Sequence, residues 1–145
     1  VTGVQTCALP IFNFSISPET QVIDFGKFNL LDIRRHTMSK TFSIKTTKSQ
    51  NDQCTDGFKV SSSFYTEETL VEEDKALLIG NGLKLRLLDE NSSPYTFNKY
   101  AEYADFTSDM LVYEKTYTAE LSSIAGTPIE AGPFDTVVLF KINYN

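Results

Sequence analysis

The sequence contains no tryptophan and only one histidine, His36, among its 145 residues. A structural or catalytic metal site needs several nitrogen or sulfur ligands, and a Ser-His-Asp or Cys-His arrangement would have to use this single histidine. His36 stands beside Arg34 and Arg35 in a polar stretch without an activating neighbour, so a solvated loop histidine is the better interpretation. The scarcity of histidine therefore argues against a metal site and against a catalytic triad.

Long apolar runs and an excess of positive charge are also missing. No segment approaches the roughly 18 apolar residues that a membrane-spanning helix requires. The formal net charge is −6 and the isoelectric point is near 4.7, which argues against nucleic-acid binding because that function depends on basic patches. The turn Gly80-Asn81-Gly82 lacks the lysine and the helix of a phosphate-binding loop, and we expect no cofactor.

The two cysteines are Cys7 and Cys54. Residues 1–11 read like the translation of a widely used DNA sequencing adapter, and they lack the basic and long apolar regions of a secretory leader. We therefore expect them not to be native, the native chain to start upstream of Phe12, and residues 12–145 to form one domain. Cys54 is then an odd cysteine, which suggests either a missing disulfide partner or a buried free thiol.

Carboxylates and aromatic residues are numerous enough to raise two further hypotheses. The acidic residues do not follow the spacing of a calcium loop, and a solvated acidic surface explains them better than a pair of glycosidase acids. Aromatic residues between Tyr95 and Phe106 could form a sugar-binding platform, but the lack of tryptophan favours a core edge instead. We expect neither a metal site nor enzymatic activity.

Short alternating runs, separated by turn signals, dominate the chain. Residues 83–88 place leucines on one face and cations on the other. Three further runs alternate in the same way: residues 40–46, 58–64 and 113–121. This pattern predicts about six or seven strands without a long helix, and hence an all-β antiparallel sandwich. Residues 29–39 are predicted to be a polar connection, and residues 66–78 an acidic surface loop in preference to a short helix.

The chain ends in an apolar strand that follows the turn signal Ala131-Gly132-Pro133. One face of this strand carries Val138, Phe140, Ile142 and Tyr144. The other face is only partly polar and is assigned Thr136, Lys141 and Asn143, with Val137 and Leu139 between them. An unpaired apolar strand promotes aggregation, and proteins cover such edges. Since no residue follows Asn145, we expect a strand from another chain to cover this one.

This ending resembles the last strand of chaperone–usher pilins. That family has a tyrosine next to last and a glycine fourteen places from the end, and here Tyr144 and Gly132 occupy those positions. Other stretches also resemble pilin segments: Val22 to Phe28, Lys40 to Ile44, Gly80 to Pro94 and Ile124 to Gly132. Ser93 departs from the pattern, because pilins usually have glycine before the proline of that hairpin.

The resemblance implies an incomplete immunoglobulin-like antiparallel β-sandwich of six strands that lacks the seventh. It implies a chaperone- and subunit-binding strand formed by Gly132, Val138, Phe140, Ile142 and Tyr144. The implied partners are a periplasmic chaperone, neighbouring pilus subunits and an outer-membrane usher, so that the chain passes through the periplasm to a surface pilus. A disulfide is also implied, between Cys54 and a residue near positions 10–13, which Cys7 could imitate only by chance.

Three functions remain open at this stage. The chain could be a shaft or minor pilin whose own N-terminal extension serves as a donor strand. It could be the C-terminal pilin domain of a two-domain tip adhesin whose other domain binds a host glycan. The third alternative is a self-contained carbohydrate-binding β-sandwich, which predicts that the final strand is paired on both sides within the chain.

Overall fold

The structure, a computed structural model, describes residues 14–48, 58–106 and 112–144. In chain order its elements are β1 (Phe14–Ser17), α1 (Leu30–Arg35), β2 (Met38–Lys48), β3 (Phe58–Tyr65), β4 (Leu70–Val71), β5 (Ala76–Gly80), β6 (Leu83–Leu88), β7 (Ala101–Phe106), β8 (Val112–Ser123) and β9 (Leu139–Tyr144). The predictions for Cys7, Cys54 and residues 1–11 lie outside the described residues.

The strands form two antiparallel sheets that share one hydrophobic core. The larger sheet has the order β1-β2-β8-β6-β5-β4, and the smaller one has the order β7-β3-β9. Side chains of both sheets meet in a single cluster, which includes Ile44 of β2, Val60 of β3 and Leu85 of β6. The predicted all-β antiparallel sandwich is therefore confirmed. A membrane-spanning helix is absent from the described residues.

Strand β6 shows how the alternating sequence sets the register. Its leucines Leu83, Leu85 and Leu87 are buried, while the cations between them remain partly exposed. In the ladder with β8, Leu85 lies opposite Leu121 and Arg86 opposite Glu120, with 3.5 Å between Nη1 and Oε1. An ion pair at the surface contributes at most about 1 kcal/mol, so burial of the leucines is the main determinant of this register.

The two sheets are joined at the centre of the core by Tyr117 of β8, which is 1% exposed. Its ring stacks on Phe42 of β2 at 5.3 Å and meets the edge of Phe64 of β3 at 5.2 Å. Tyr95 packs against it from a third side at 5.6 Å. Burial raises the pKa of the Tyr117 hydroxyl, which has no hydrogen-bond partner among the described residues.

The connection predicted for residues 29–39 contains a helix, so that prediction is wrong in part. The side chain of Asn29 caps α1 by accepting a hydrogen bond from the Asp32 N–H at 2.9 Å. Ile33 anchors the helix in a second apolar cluster with Leu83, Leu121 and Ile129. Six residues give too weak a periodic signal for a sequence-based assignment, and tertiary packing stabilises the helix instead.

The acidic surface loop predicted for residues 66–78 is also wrong, because the segment forms the hairpin β4–β5. Leu70 pairs with Leu77 and Val71 with Ala76. Three consecutive turn residues, Glu72, Glu73 and Asp74, have φ angles of 57°, 60° and 67°. This left-handed conformation is uncommon for residues other than glycine, so the sequence carried no turn signal here.

Candidate functional site

Strand β9 is paired along one edge only among the described residues. It runs antiparallel to β3, from Tyr65 opposite Leu139 to Val60 opposite Tyr144. In residues 14–48, 58–106 and 112–144 no strand pairs with its other edge. The backbone N–H and C=O groups of an unpaired edge form a template for another strand.

The apolar face of this strand points to the core. Val138, Phe140 and Ile142 are half-buried and pack against the main core cluster. The Phe140 ring lies 5.4 Å from Phe64 and 5.8 Å from Tyr103. The alternation in the sequence thus correctly identifies the side chains that face the core, and these side chains remain partly exposed.

The outer face differs from the sequence assignment at one position. Val137 and Leu139 are 74% and 51% exposed, as expected for an outer face. Thr136 was assigned to the same face, but its hydroxyl is buried without a hydrogen-bond partner among the described residues. Its position an even number of residues from Val138 places it with the inner side chains, so the sequence assignment of Thr136 is wrong.

Residues 21–29 form a second unpaired segment. They follow β1 and a cis Ser17–Pro18 bond, and they contribute no strand to either sheet. Ile23 and Phe25 nevertheless pack half-buried against the core, and Gln21 Nε2 donates to the carbonyl oxygen of Ser43 at 3.0 Å. The strand expected from the pilin-like string at Val22 to Phe28 is not formed, because these residues have no ladder partner among the described residues.

A cavity of about 710 Å³ lies between this segment and the connection from β8 to β9. Residues 23–30 line one wall, residues 129–134 line the other, and Leu83 contributes from β6. Leu83 and Ile129 are buried, and the rings of Phe28 and Phe134 face each other across the two walls at 5.9 Å. We call this cavity, together with the free edge of β9, the groove.

The predicted site residues lie at different places along this groove. Gly132 is on the cavity wall with φ 131°, a conformation that favours glycine, and no atom lies within 4 Å of a Cβ built there. Val138, Phe140 and Ile142 follow on the core side of the strand. For Tyr144 the structure describes only the backbone, which pairs with Val60. Cys54 is not among the described residues.

Sequence analysis missed Asn81 as a contributor to this region. Its Nδ2 donates to the carbonyl oxygens of Gly132 at 3.2 Å and Pro133 at 3.1 Å, both on the cavity wall. The signal available was the turn Gly80-Asn81-Gly82, which the sequence identified only as a turn. No sequence pattern indicates which distant carbonyls such an amide will reach.

Three charged residues, Asp24, Lys27 and Glu130, line the cavity among mostly apolar neighbours. The described residues contain no group of three or more His, Cys, Asp or Glu side chains able to hold a metal ion. Burial, with a smaller contribution from Asp89 and Glu90, raises the pKa of Tyr95 in the aromatic core to about 12. The site is therefore an apolar groove with a free strand edge, suited to binding an extended chain.

Comparison with known proteins identifies the fold. No family model matches the sequence. The crystal structure of the P pilus rod subunit PapA superposes with a TM-score of 0.72 at 19% identity, over 91% of this chain and 99% of that one. A chain from the structure of a chaperone-usher pilus gives 0.66 at 18% identity, over 91% and 87%.

Fewer than one residue in five is identical in either comparison, so what the chains share is the fold. The shared architecture extends over almost the whole of the rod subunit. The resemblance read from the sequence is confirmed at this level: the chain has the immunoglobulin-like sandwich fold of chaperone–usher pilus subunits.

Proposed function

We propose that this chain is a structural subunit of a chaperone–usher pilus that is completed by a β-strand from another polypeptide. The observation that carries the proposal is the edge of β9 that no described strand pairs with, where the core side chains Phe140 and Ile142 are only half-buried. An inserted strand would pair with β9 through backbone hydrogen bonds and place alternate side chains on Val138, Phe140 and Ile142. Strand addition of this kind in pilins is a known recognition mode, which is applied here to this groove.

The energetics favour such an insertion. Full burial of an apolar side chain contributes about 1.5–3 kcal/mol relative to full exposure, and the side chains of Val138, Phe140 and Ile142 are half-buried. Each ladder hydrogen bond adds a net contribution of about 0.5–1.5 kcal/mol. A strand whose apolar side chains alternate in phase with these residues could therefore gain several kcal/mol of binding free energy, from which the cost of ordering the strand is subtracted.

The partners follow from this role. In the periplasm a chaperone would supply the strand, and in the fibre the N-terminal extension of a neighbouring subunit would replace it at the outer-membrane usher. The superposition with a pilus rod subunit favours a shaft subunit over the pilin domain of a tip adhesin. A self-contained carbohydrate-binding sandwich requires β9 to be paired on both sides, and the described residues provide only β3.

A synthetic peptide tests the proposal. The probe has about nine residues, a length typical of strands, with valine or isoleucine alternating with serine or threonine and lysines at both ends. Amide exchange in β9 is measured with this peptide and with a scrambled peptide of the same composition. We expect only the alternating peptide to protect the amides of β9. Equal protection by both peptides, or by neither, would contradict strand addition.

A further inference from the structure

The turn between β5 and β6 holds the segment that leads into β9. The Asn81 amide donates to the carbonyl oxygens of Gly132 and Pro133, at 3.2 and 3.1 Å. The backbone of the turn accepts two more hydrogen bonds, from the Glu130 N–H to the Asn81 oxygen at 3.0 Å and from the Ile124 N–H to the Gly82 oxygen at 3.2 Å. Contacts are therefore distributed along the whole connection from Ile124 to Pro133.

The turn and the connection are in direct backbone contact. A Cβ built on Gly82 would lie 2.2 Å from the carbonyl oxygen of Pro128, and Gly82 has φ 77°. The connection therefore cannot move closer at this point, whereas its distal part, Glu130 to Phe134, is largely exposed and forms one wall of the cavity. Only the side chain of Asn81 joins the turn to Gly132 and Pro133 among the described contacts.

The rings of Phe28 and Phe134 already meet between the two walls at 5.9 Å, and a closer approach of the walls would remove more of the apolar cavity surface from water. We propose, on the basis of the function proposed above, that Asn81 is a positioning residue that keeps the groove open for an incoming strand. Its amide holds the carbonyl groups of Gly132 and Pro133 away from the opposite wall. Asn81 would act on the inserted strand indirectly, by fixing the position of Gly132 and Pro133.

The variants follow from the backbone geometry. Asn81 has φ 57°, so Asn81→Gly keeps the turn accessible and retains the backbone acceptor for Glu130 while removing the amide. Asn81→Asp keeps the shape of the side chain but places a carboxylate, which repels them, against the carbonyl oxygens of Gly132 and Pro133. Asn98→Gly is the matched control: Asn98 has φ 63°, and its side chain also makes two hydrogen bonds, both to the backbone of Thr66 outside the cavity lining.

Two measurements test the proposal: amide exchange of Glu130, whose N–H donates to the Asn81 carbonyl oxygen, without a ligand, and the association rate of the alternating peptide. We expect Asn81→Gly to accelerate exchange at Glu130 by about tenfold, because the two hydrogen bonds that hold the next residues are lost, and to slow association. Asn81→Asp should have a larger effect. Asn98→Gly should change neither quantity, although it costs a similar amount of global stability.

Equal effects of Asn81→Gly and Asn98→Gly would overturn the positioning role and leave only a contribution to stability. Wild-type exchange and association in Asn81→Gly would overturn it as well. If the wild-type protein takes up no peptide, the proposed function fails separately. The exchange comparison then still decides whether Asn81 holds the cavity wall, since it requires no ligand.

Discussion

Val137 and Val138 have the same side chain and adjacent positions, but their environments are opposite. Val137 is 74% exposed, whereas Val138 packs half-buried against the core. Successive side chains of an extended chain point to opposite faces, so this difference is a direct consequence of local geometry. Replacing each of the two valines by the same residue therefore tests the inner and the outer face of this segment separately.

Val138→Thr should weaken binding of the alternating peptide, while Val137→Thr should not. Threonine has nearly the shape of valine, but its hydroxyl would be buried beneath the inserted strand at a cost of about 1–3 kcal/mol. We expect roughly a tenfold or greater loss of affinity for Val138→Thr and less than about a twofold change for Val137→Thr. Isothermal titration with both variants checks this difference, and similar affinities would refute the assignment of faces.

The raised pKa of Tyr95 predicts that the protein loses stability at alkaline pH. Burial raises its pKa from 10.0 to about 12, so the folded state favours the neutral phenol. Stability from this group is fully present below about pH 10, and it is lost as the pH rises through about 12 because the unfolded state releases the proton first. Urea unfolding across this range should therefore show a falling free energy of unfolding.

The variant Tyr95→Phe removes this titration while keeping the ring that packs on Phe64 at 5.4 Å. Its free energy of unfolding should fall less steeply between pH 10 and 12 than that of the wild type. Tyr100→Phe serves as the control because Tyr100 is 48% exposed. The same slope in the wild type and Tyr95→Phe would show that another group controls alkaline unfolding.

At the scale of elements, short structures depend on tertiary contacts that local patterns do not contain. Helix α1 has six residues, too few for an isolated helix to be stable in water. Its cap at Asn29 and the burial of Ile33 stabilise it within the sandwich. The hairpin β4–β5 similarly depends on a two-residue ladder and on the adjoining β6.

Ile33→Ala and Leu31→Ala compare two apolar residues of the same helix. Ile33 is 1% exposed and belongs to the second cluster, whereas Leu31 is 63% exposed. We expect Ile33→Ala to lower the free energy of unfolding by about 2–5 kcal/mol, through lost burial and the cavity it leaves. Leu31→Ala should stay within about 0.5 kcal/mol of the wild type. Urea titration measures both, and comparable losses would mean that Ile33 does not anchor the helix.

At the scale of the whole molecule, the two sheets differ in size and in how they are bounded. Within residues 14–48, 58–106 and 112–144, the larger sheet has six strands and the smaller one three, and β9 is an edge strand of the smaller sheet. The half-buried residues Phe140 and Ile142 lie on this strand. An additional strand at β9 would enlarge the smaller sheet and cover these side chains.

A strand appended to the chain should therefore stabilise the fold. An alternating apolar segment joined after Asn145 by an Asp-Gly turn can fold back antiparallel along the free edge of β9. A second version of the same segment, displaced by one residue, presents its polar face to the core because a one-residue slip reverses every side chain. We expect a higher melting temperature for the in-phase version only. Equal melting temperatures would argue against an open groove.

The sequence by itself determined the fold class and, except for Thr136, the two faces of the last strand. Leu83 to Leu88 and Val138 to Ile142 alternate with period two, and this local signal already states which side chains are buried. The same alternation, with Gly132 and Tyr144 at the expected spacing, was sufficient to indicate the pilin resemblance. The binding role of these residues stays a prediction.

Only the tertiary structure decided which segments line the cavity and which side chain bonds to its wall. The groove lies between residues 23–30 and 129–134, which are about a hundred positions apart in the chain. Asn81 donates hydrogen bonds to Gly132 and Pro133, which are 51 and 52 positions away in the chain, and its own turn carries no sequence signal of this contact. Strand pairing and side-chain hydrogen bonds at such separations depend on how all the strands pack together, and no local periodicity encodes them.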